Sequence, residues 1–152
     1  DILQIAFGWT DSHLHLFHAG HQRFGVMDDE WDEEIIDENG ARLDQLLPVY
    51  DRFVYEYDLG DDWIHLIVLE KLTEREPGLW YPRCTGGKRA APPEDCGGPW
   101  GYENLLAALA DRTHPEHREL AEWIGRPFDP EAFDPDDFAD NLREGRLAAF
   151  DD

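Results

Sequence analysis

Two adjacent segments with alternating side chains constrain the fold of this chain more than any other feature. The first is Phe-Val-Tyr-Glu-Tyr-Asp-Leu (53–59) and the second is Trp-Ile-His-Leu-Ile-Val-Leu-Glu (63–70), with Gly60 and Asp61 in the short connection between them. Aromatic and β-branched residues on both sides of a glycine-containing turn are typical of a β-hairpin. The sequence therefore predicts an antiparallel hairpin over residues 51–71.

The same pattern predicts a register for the hairpin. A two-residue loop places Tyr57 opposite Ile64 and Glu56 opposite His65. One face of the hairpin is then wholly apolar, whereas a shift by one residue mixes the apolar and polar sets. We therefore expect Glu56 and His65 to share a polar face.

Apolar spacing and the positions of glycine and proline predict the other helices and strands. Residues 2–9 indicate the end of a helix, residues 13–18 a strand and residues 41–47 a short helix ended by Pro48. Three further helices begin near Pro99, Pro115 and Asp134, the last running to about Leu147. Strands first and helices last indicate an α+β fold, with an antiparallel sheet and a central hairpin packed against C-terminal helices. The length favours one domain, residues 1–152.

The start of the chain lacks the usual features of a domain boundary. Asp1 leads directly into an apolar run with helical spacing, Leu3 and Phe7 lying four residues apart. A domain rarely begins with an uncapped apolar helix. We therefore expect further residues upstream of Asp1.

Charge and composition restrict the classes of partner. The 13 Lys and Arg residues against 35 Asp and Glu residues give a net charge of −22, so the sequence disfavours direct binding to bare nucleic acid. Acidity together with abundant Trp and Tyr favours a protein partner with a basic face. No apolar run is long enough to span a membrane, and the 2 cysteines are too few for a disulfide framework, which favours a cytoplasmic location. The acid-rich segment 28–38 is predicted to be a solvated loop.

The predicted hairpin turn carries a cluster of groups that can bind a divalent metal ion. Asp58, Asp61, Asp62 and His65 lie within eight residues, and Glu56 is placed to orient the His65 ring. Carboxylates and imidazole suit Mg²⁺, Mn²⁺ or Zn²⁺. Aspartate is also a common turn residue whose side chain binds nearby backbone N–H groups, so a structural role is the alternative.

A Gly- and Pro-rich segment at residues 77–101 holds a second set of candidates. Glu94 and Asp95 precede the helix that begins near Pro99, while Cys84 and Cys96 are candidates for zinc ligands, a disulfide or plain buried thiols. Long loops in compact domains are commonly functional. We expect residues 84–98 to fold over the face with Glu56, Asp58 and His65; pairing of the turn acids with Arg83 or Arg89 is the structural alternative.

Four motifs together resemble the plasmid pRiA4b ORF-3-like family. They are Gly-Trp-Thr-Asp-Ser-His-Leu-His (8–15), Tyr-Asp-Leu-Gly-Asp-Asp-Trp-Ile-His (57–65), Pro-Pro-Glu-Asp-Cys-Gly-Gly-Pro-Trp-Gly-Tyr (92–102) and Phe-Asp-Pro-Glu-Ala-Phe (128–133). The resemblance covers essentially the whole chain. It implies an α+β domain, an N-terminal strand region upstream of Asp1 and an association with mobile elements. It implies no activity. Many relatives carry Cys where this chain has Ala91, so a metal site that uses that position is incomplete here.

Three hypotheses for function follow. The first is a non-catalytic protein-interaction module or mobile-element accessory protein. The second is a metal-dependent hydrolase, such as a phosphodiesterase, that uses the cluster at Asp58, Asp61, Asp62 and His65. The third is a structural metal-binding domain that uses Cys84 and Cys96. The sequence favours the first.

Overall fold

The computed structural model describes residues 1–26, 35–47 and 49–143, and the chain divides into two compact units. One unit contains Asp1–Ser12 together with the chain from Pro77 onward, and the other contains His13–Glu76. The sheet lies in His13–Glu76 and the three longest described helices lie after Pro77, which confirms the α+β class. None of the described helices combines the length and apolar character needed to cross a membrane.

The sheet has five strands, and four of its members pair in antiparallel fashion. The strands are β1 (His15–Ala19), β2 (Gln22–Gly25), β3 (Ile35–Asp37), β4 (Arg52–Tyr57) and β5 (Trp63–Val68), in the spatial order β3-β2-β1-β4-β5. The predicted strand at 13–18 and the predicted hairpin are confirmed. Strand β3 pairs with β2 in parallel, so the sheet is mixed, and its other three pairings are antiparallel as predicted. This strand lies in the segment predicted as an acidic loop, of which residues 28–34 lie outside the described part of the chain.

Aromatic side chains line one face of the sheet. Tyr55 and Tyr57 are almost fully buried, and their rings stack with centroids 6.2 Å apart. The ring of Phe17 lies 4.8 Å from that of Tyr55, and the ring of Phe53 lies 6.1 Å from that of Phe17. Large rings on alternate residues bury much apolar area from short strands, which is why β1 and β4 form the centre of the sheet.

The hairpin register differs by one residue from the predicted register. Tyr57 pairs with Trp63, Glu56 with Ile64 and Tyr55 with His65. His65 therefore shares a face with Tyr57, and Glu56 lies on the other face. The connection comprises residues 58–62, five residues in place of the predicted two. Because side chains alternate along a strand, the longer loop turns every side chain of β5 to the opposite face.

The described helices lie close to their predicted positions, although α2 is shorter than the predicted helix at 41–47. They are α1 (Ile2–Phe7), α2 (Leu43–Leu46), α3 (Gly98–Ala110), α4 (His117–Ile124) and α5 (Pro135–Arg143). Gly8 ends α1 and Gly125 ends α4, both with a positive φ. At the start of α5, Asp134 Oδ1 accepts a hydrogen bond from the N–H of Asp136 at 2.9 Å, as expected for an N-cap. Pro48 and the predicted helix end near Leu147 lie outside the described residues.

The Cys-Gly-Gly-Pro-Trp-Gly segment fixes the start of α3 by close backbone contact. Gly97 and Gly98 have φ values of 85° and 65°, in the left-handed region that favours glycine. Gly101 lies against the preceding loop, and a Cβ placed on it would overlap the carbonyl oxygen of Cys96. The backbone conformation or a close contact therefore explains why glycine occupies each of these three positions.

We predict that Gly101→Ala lowers the free energy of unfolding by about 2 kcal/mol, because the added methyl group meets backbone that cannot move aside easily. Gly86→Ala is the matched control, since a Cβ there meets no atom within 4 Å. Urea unfolding of the two variants measures the difference. Equal stability of Gly101→Ala and Gly86→Ala would show that the contact with Cys96 is absent.

Candidate functional site

The connection between β4 and β5 is organised by Asp58. Its Oδ1 accepts hydrogen bonds from the N–H of Gly60 at 3.1 Å and of Asp61 at 3.3 Å. Its carbonyl oxygen also accepts the N–H of Asp61 and of Asp62, at 3.0 and 2.7 Å. Asp58 and Asp62 both have a positive φ, which aspartate tolerates better than most residues. These contacts give Asp58 the structural role of a turn residue.

The second carboxylate oxygen of Asp58 faces an imidazole. Asp58 Oδ2 lies 3.6 Å from Nδ1 of His13, and both side chains are partly buried. The His13 ring also meets the edge of the Tyr57 ring, with centroids 5.9 Å apart. The sequence placed His13 near the start of β1 but gave no reason to pair it with Asp58, since 45 residues separate them in the sequence.

His65 belongs to the aromatic face, away from a carboxylate cluster. Its Nδ1 lies 3.2 Å from the carbonyl oxygen of Tyr55, and the two rings are 5.8 Å apart. Burial lowers the pKa of the His65 imidazole below its ordinary value, and hydrogen bonds to the carbonyls of Tyr55 and Trp63 oppose this shift. The neutral ring is therefore favoured.

The structure does not gather the predicted metal ligands of the hairpin. Within the described part of the chain, no three of the candidates Asp58, Asp61, Asp62 and His65 bring ligand atoms within 4.8 Å of one another. A divalent ion needs several such atoms around one point. Metal binding by this set therefore stays a prediction that the geometry does not favour.

Glu56 pairs with a histidine that the sequence did not indicate. Its Oε2 lies 2.8 Å from Nε2 of His18 on the neighbouring strand, and not beside His65 as the predicted register required. A similar pair joins Nε2 of His15 to the Glu38 carboxylate at 3.0 Å. Strand order decides the pair of Glu56 and His18, because β1 lies beside β4, and sequence periodicity does not reveal which strands are neighbours.

In the other unit, Glu94 binds the chain segment that precedes the sheet. Its Oε2 accepts hydrogen bonds from the N–H of Thr10 at 2.9 Å and from the Thr10 hydroxyl at 2.7 Å. The indole N–H of Trp9 donates to the carbonyl oxygen of Pro92 at 2.9 Å. Glu94 thus acts as a clamp between the first and third sequence motifs. Asp95 is exposed and has a positive φ.

The Gly- and Pro-rich loop also contacts the fourth motif. The N–H of Ala90 donates to the carbonyl oxygen of Pro130 at 3.0 Å, and Arg89 Nε lies 3.2 Å from a carboxylate oxygen of Glu131. The Phe133 ring lies directly over Gly87, where a Cβ would approach it to 2.5 Å. Arg89 therefore pairs with Glu131 in the fourth motif.

The two cysteines are half-buried, and no disulfide joins them. The Cys84 thiol lies 3.6 Å from the carbonyl oxygen of Gly86, within reach of a weak S–H hydrogen bond. Both residues are thiols, and they are half-buried where the third alternative expected buried thiols. The zinc alternative and the expectation that residues 84–98 cover the face around Glu56 stay predictions.

Comparison with known proteins identifies a family that this chain matches. A family model described as plasmid pRiA4b ORF-3-like protein matches residues 1–137. The chain is 42% identical over 129 residues to the uncharacterized protein y4hQ of Sinorhizobium fredii (strain NBRC 101917 / NGR234), a match that covers 82% of this chain. That match spans 65% of the length of y4hQ.

A solved structure agrees with the fold. The crystal structure of MM3350, a protein of unknown function from Methanosarcina mazei Go1, matches with a TM-score of 0.80 and 40% identity. The match covers 90% of this chain and 78% of that chain. Similarity at this level indicates a shared fold, and neither relative's name states an activity.

We predict that Asp58→Ala lowers the free energy of unfolding by about 1–2 kcal/mol, because the N–H of Gly60 loses its side-chain acceptor and that of Asp61 keeps only the backbone carbonyl. Asp58→Asn keeps a side-chain acceptor and tolerates a positive φ, so it should retain most of the stability. Thermal unfolding in the presence of a chelator measures both variants. The metal alternative would instead require that Mg²⁺, Mn²⁺ or Zn²⁺ raises the wild-type midpoint and that Asp58→Asn abolishes this rise.

We predict that His65 makes the protein less stable as the pH falls below about 6.5, the ordinary histidine value. The pKa of His65 is lower in the folded protein than in the unfolded chain, so on acidification the unfolded chain binds the proton first. The free energy of unfolding therefore decreases as the pH falls from the unfolded-state pKa to the folded-state pKa. Thermal midpoints between pH 5 and 8 for wild type and His65→Asn measure this loss. The difference in thermal midpoint between wild type and His65→Asn should become smaller as the pH falls. His21→Asn, which removes an exposed imidazole, is the control. A difference that becomes larger would contradict the prediction.

Proposed function

This chain belongs to the plasmid pRiA4b ORF-3-like family, and we propose that it is a non-catalytic module that binds a protein partner with an arginine- or lysine-rich surface. A role as an accessory protein of a mobile element, in the cytoplasm, is part of the same proposal. The observation that carries the proposal is the exposure of two tryptophans in a strongly acidic chain.

Trp80 and Trp100 expose most of their side chains. Their exposed fractions are 89% and 83%. Trp100 follows Pro99 in the first turn of α3, a position fixed by the glycine contacts described above. Exposed tryptophan is costly in water and is enriched at the centre of protein interfaces. These two rings are therefore candidate anchors for a partner.

The charge of the chain selects the kind of partner. A net charge of −22 attracts a basic surface and repels nucleic acid phosphates. Arginine and lysine also bind the face of a tryptophan ring, an interaction worth about 0.5–1 kcal/mol at exposed sites. Acidic charge and exposed indole rings thus favour the same ligand chemistry.

The contacts of the candidate acids give less support to catalysis. Asp58 holds a turn, Glu94 holds Thr10, and Glu56 pairs with His18. General acid–base or metal-assisted chemistry requires such groups to converge on a point that a substrate can reach. The metal-dependent hydrolase and the structural metal site at Cys84 and Cys96 remain alternatives. The divalent-ion titration described above tests the hydrolase set.

We predict that the wild-type protein binds a hexa-arginine peptide, and that a Trp80→Ala/Trp100→Ala double variant binds it about fivefold to thirtyfold more weakly, as expected for the loss of two cation–π contacts. Calorimetric titration at several salt concentrations measures both. The salt dependence should be unchanged, because the substitutions remove no charge.

Val49→Ala is the matched control, since it truncates another strongly exposed apolar side chain. Hexa-glutamate controls for non-specific peptide binding. If the wild-type protein does not bind hexa-arginine, the proposal of a basic partner is contradicted. Equal affinity of the wild type and the double variant would show that the two tryptophans are not the contact surface.

A further inference from the structure

The outer side of β5 is an open sheet edge. This strand is last in the sheet order, and within residues 1–26, 35–47 and 49–143 no other strand pairs with it beyond β4. The N–H of Leu69 donates to the carbonyl oxygen of Asp51 at 2.8 Å. Because inter-strand hydrogen bonds alternate along an antiparallel pair, the odd-numbered residues of β5 bond to β4. The backbone N–H and C=O groups that point away from the sheet therefore belong to Ile64, Leu66 and Val68.

The same three residues also present their side chains to solvent. The exposed fractions are 67% for Ile64, 61% for Leu66 and 48% for Val68. They lie on the face opposite Tyr55 and Tyr57, beside Glu56 and its neighbours on β4. Natural edge strands are usually protected by lysine, proline or a bulge, and residues 63–68 contain neither lysine nor proline. An exposed apolar edge of this kind is a template for an added strand.

Acidic residues bracket this apolar stripe. Asp62 precedes it and Glu70 follows it, both exposed, and the alternation of exposed and half-buried side chains continues through Glu70. Antiparallel pairing of β5 with a second copy, centred on Leu66, would place Asp62 of one copy opposite Glu70 of the other at both ends. Like charges directly opposite each other are destabilising, so this register is poorly suited to self-association.

We propose that the free edge of β5 binds an extended segment of a basic partner protein as an additional strand. The segment has apolar residues opposite Ile64, Leu66 and Val68, and lysine or arginine opposite Asp62 and Glu70. The inference rests on the proposed function only in that the partner is basic. It concerns a different surface, since neither Trp80 nor Trp100 lies in this stripe.

The test uses a capped peptide built for this edge, Lys-Thr-Val-Thr-Val-Thr-Val-Thr-Lys, titrated calorimetrically into the full chain. Wild type should bind it, and the version with glutamate at both ends should not. In antiparallel pairing, residues opposite the outward-pointing groups of β5 donate their own N–H groups to it. N-methylation of the three valines should therefore abolish binding, whereas N-methylation of the threonines should spare it.

Protein variants identify the binding surface. Asp62→Asn/Glu70→Gln should weaken peptide binding about threefold or more, as expected for the loss of two exposed ion pairs. Leu66→Thr, which keeps a residue suited to strands, should weaken it further, and Val49→Ala should leave it unchanged. Equal binding of both N-methylated peptides would overturn the inference, as would a stable wild-type dimer that Leu66→Thr dissociates.

The outcomes separate this inference from the proposed function. If Leu66→Thr has no effect while the tryptophan double variant loses hexa-arginine binding, the strand-addition site is wrong and the basic-partner proposal stands. If wild type binds neither the lysine-ended peptide nor hexa-arginine, both are wrong. If the lysine-ended peptide binds through Leu66 and hexa-arginine does not bind, the site stands and the role of the tryptophans is wrong.

Discussion

The turn at residues 58–62 is the constraint on which both faces of the sheet depend. Asp58 adopts a positive φ, and its carboxylate accepts N–H groups from Gly60 and Asp61, which closes a five-residue connection. Because side chains alternate along a strand, the length of this connection determines the face of every side chain of β5. It places His65 among aromatic rings and leaves an apolar stripe on the opposite, exposed side.

Residues that begin or end helices made much of the fold predictable. The pairing between distant segments could not be predicted. Gly8, Gly125 and the Asp134 cap marked helix boundaries because each acts on its own neighbours. The hairpin was predictable in outline, but its register was wrong. The sequence argument assumed that apolar residues of β5 collect on one buried face, while Ile64 and Leu66 are exposed. Strand β3 was missed because it is short and follows a run of acids.

In the candidate site, too, contacts between residues close in sequence could be predicted and contacts between distant residues could not. Aspartates in the turn were predicted with a structural alternative, and the hydrogen bonds of Asp58 support that alternative. The partners of Glu56 and Glu94 could not be predicted, since His18 and Thr10 are 38 and 84 residues away in sequence. Such contacts depend on strand order and loop packing, for which one sequence provides no signal. Three of the candidate acids, Asp58, Glu56 and Glu94, therefore make contacts that hold the fold.

Amide hydrogen exchange along β5 tests the central claim most directly, because protection reports which backbone groups are hydrogen-bonded. The account predicts slow exchange at His65 and Ile67, whose N–H groups bond to β4, and rapid exchange at Ile64, Leu66 and Val68. Protection at the even-numbered positions with rapid exchange at the odd-numbered ones would contradict the register. Uniform protection along the strand would contradict the open edge.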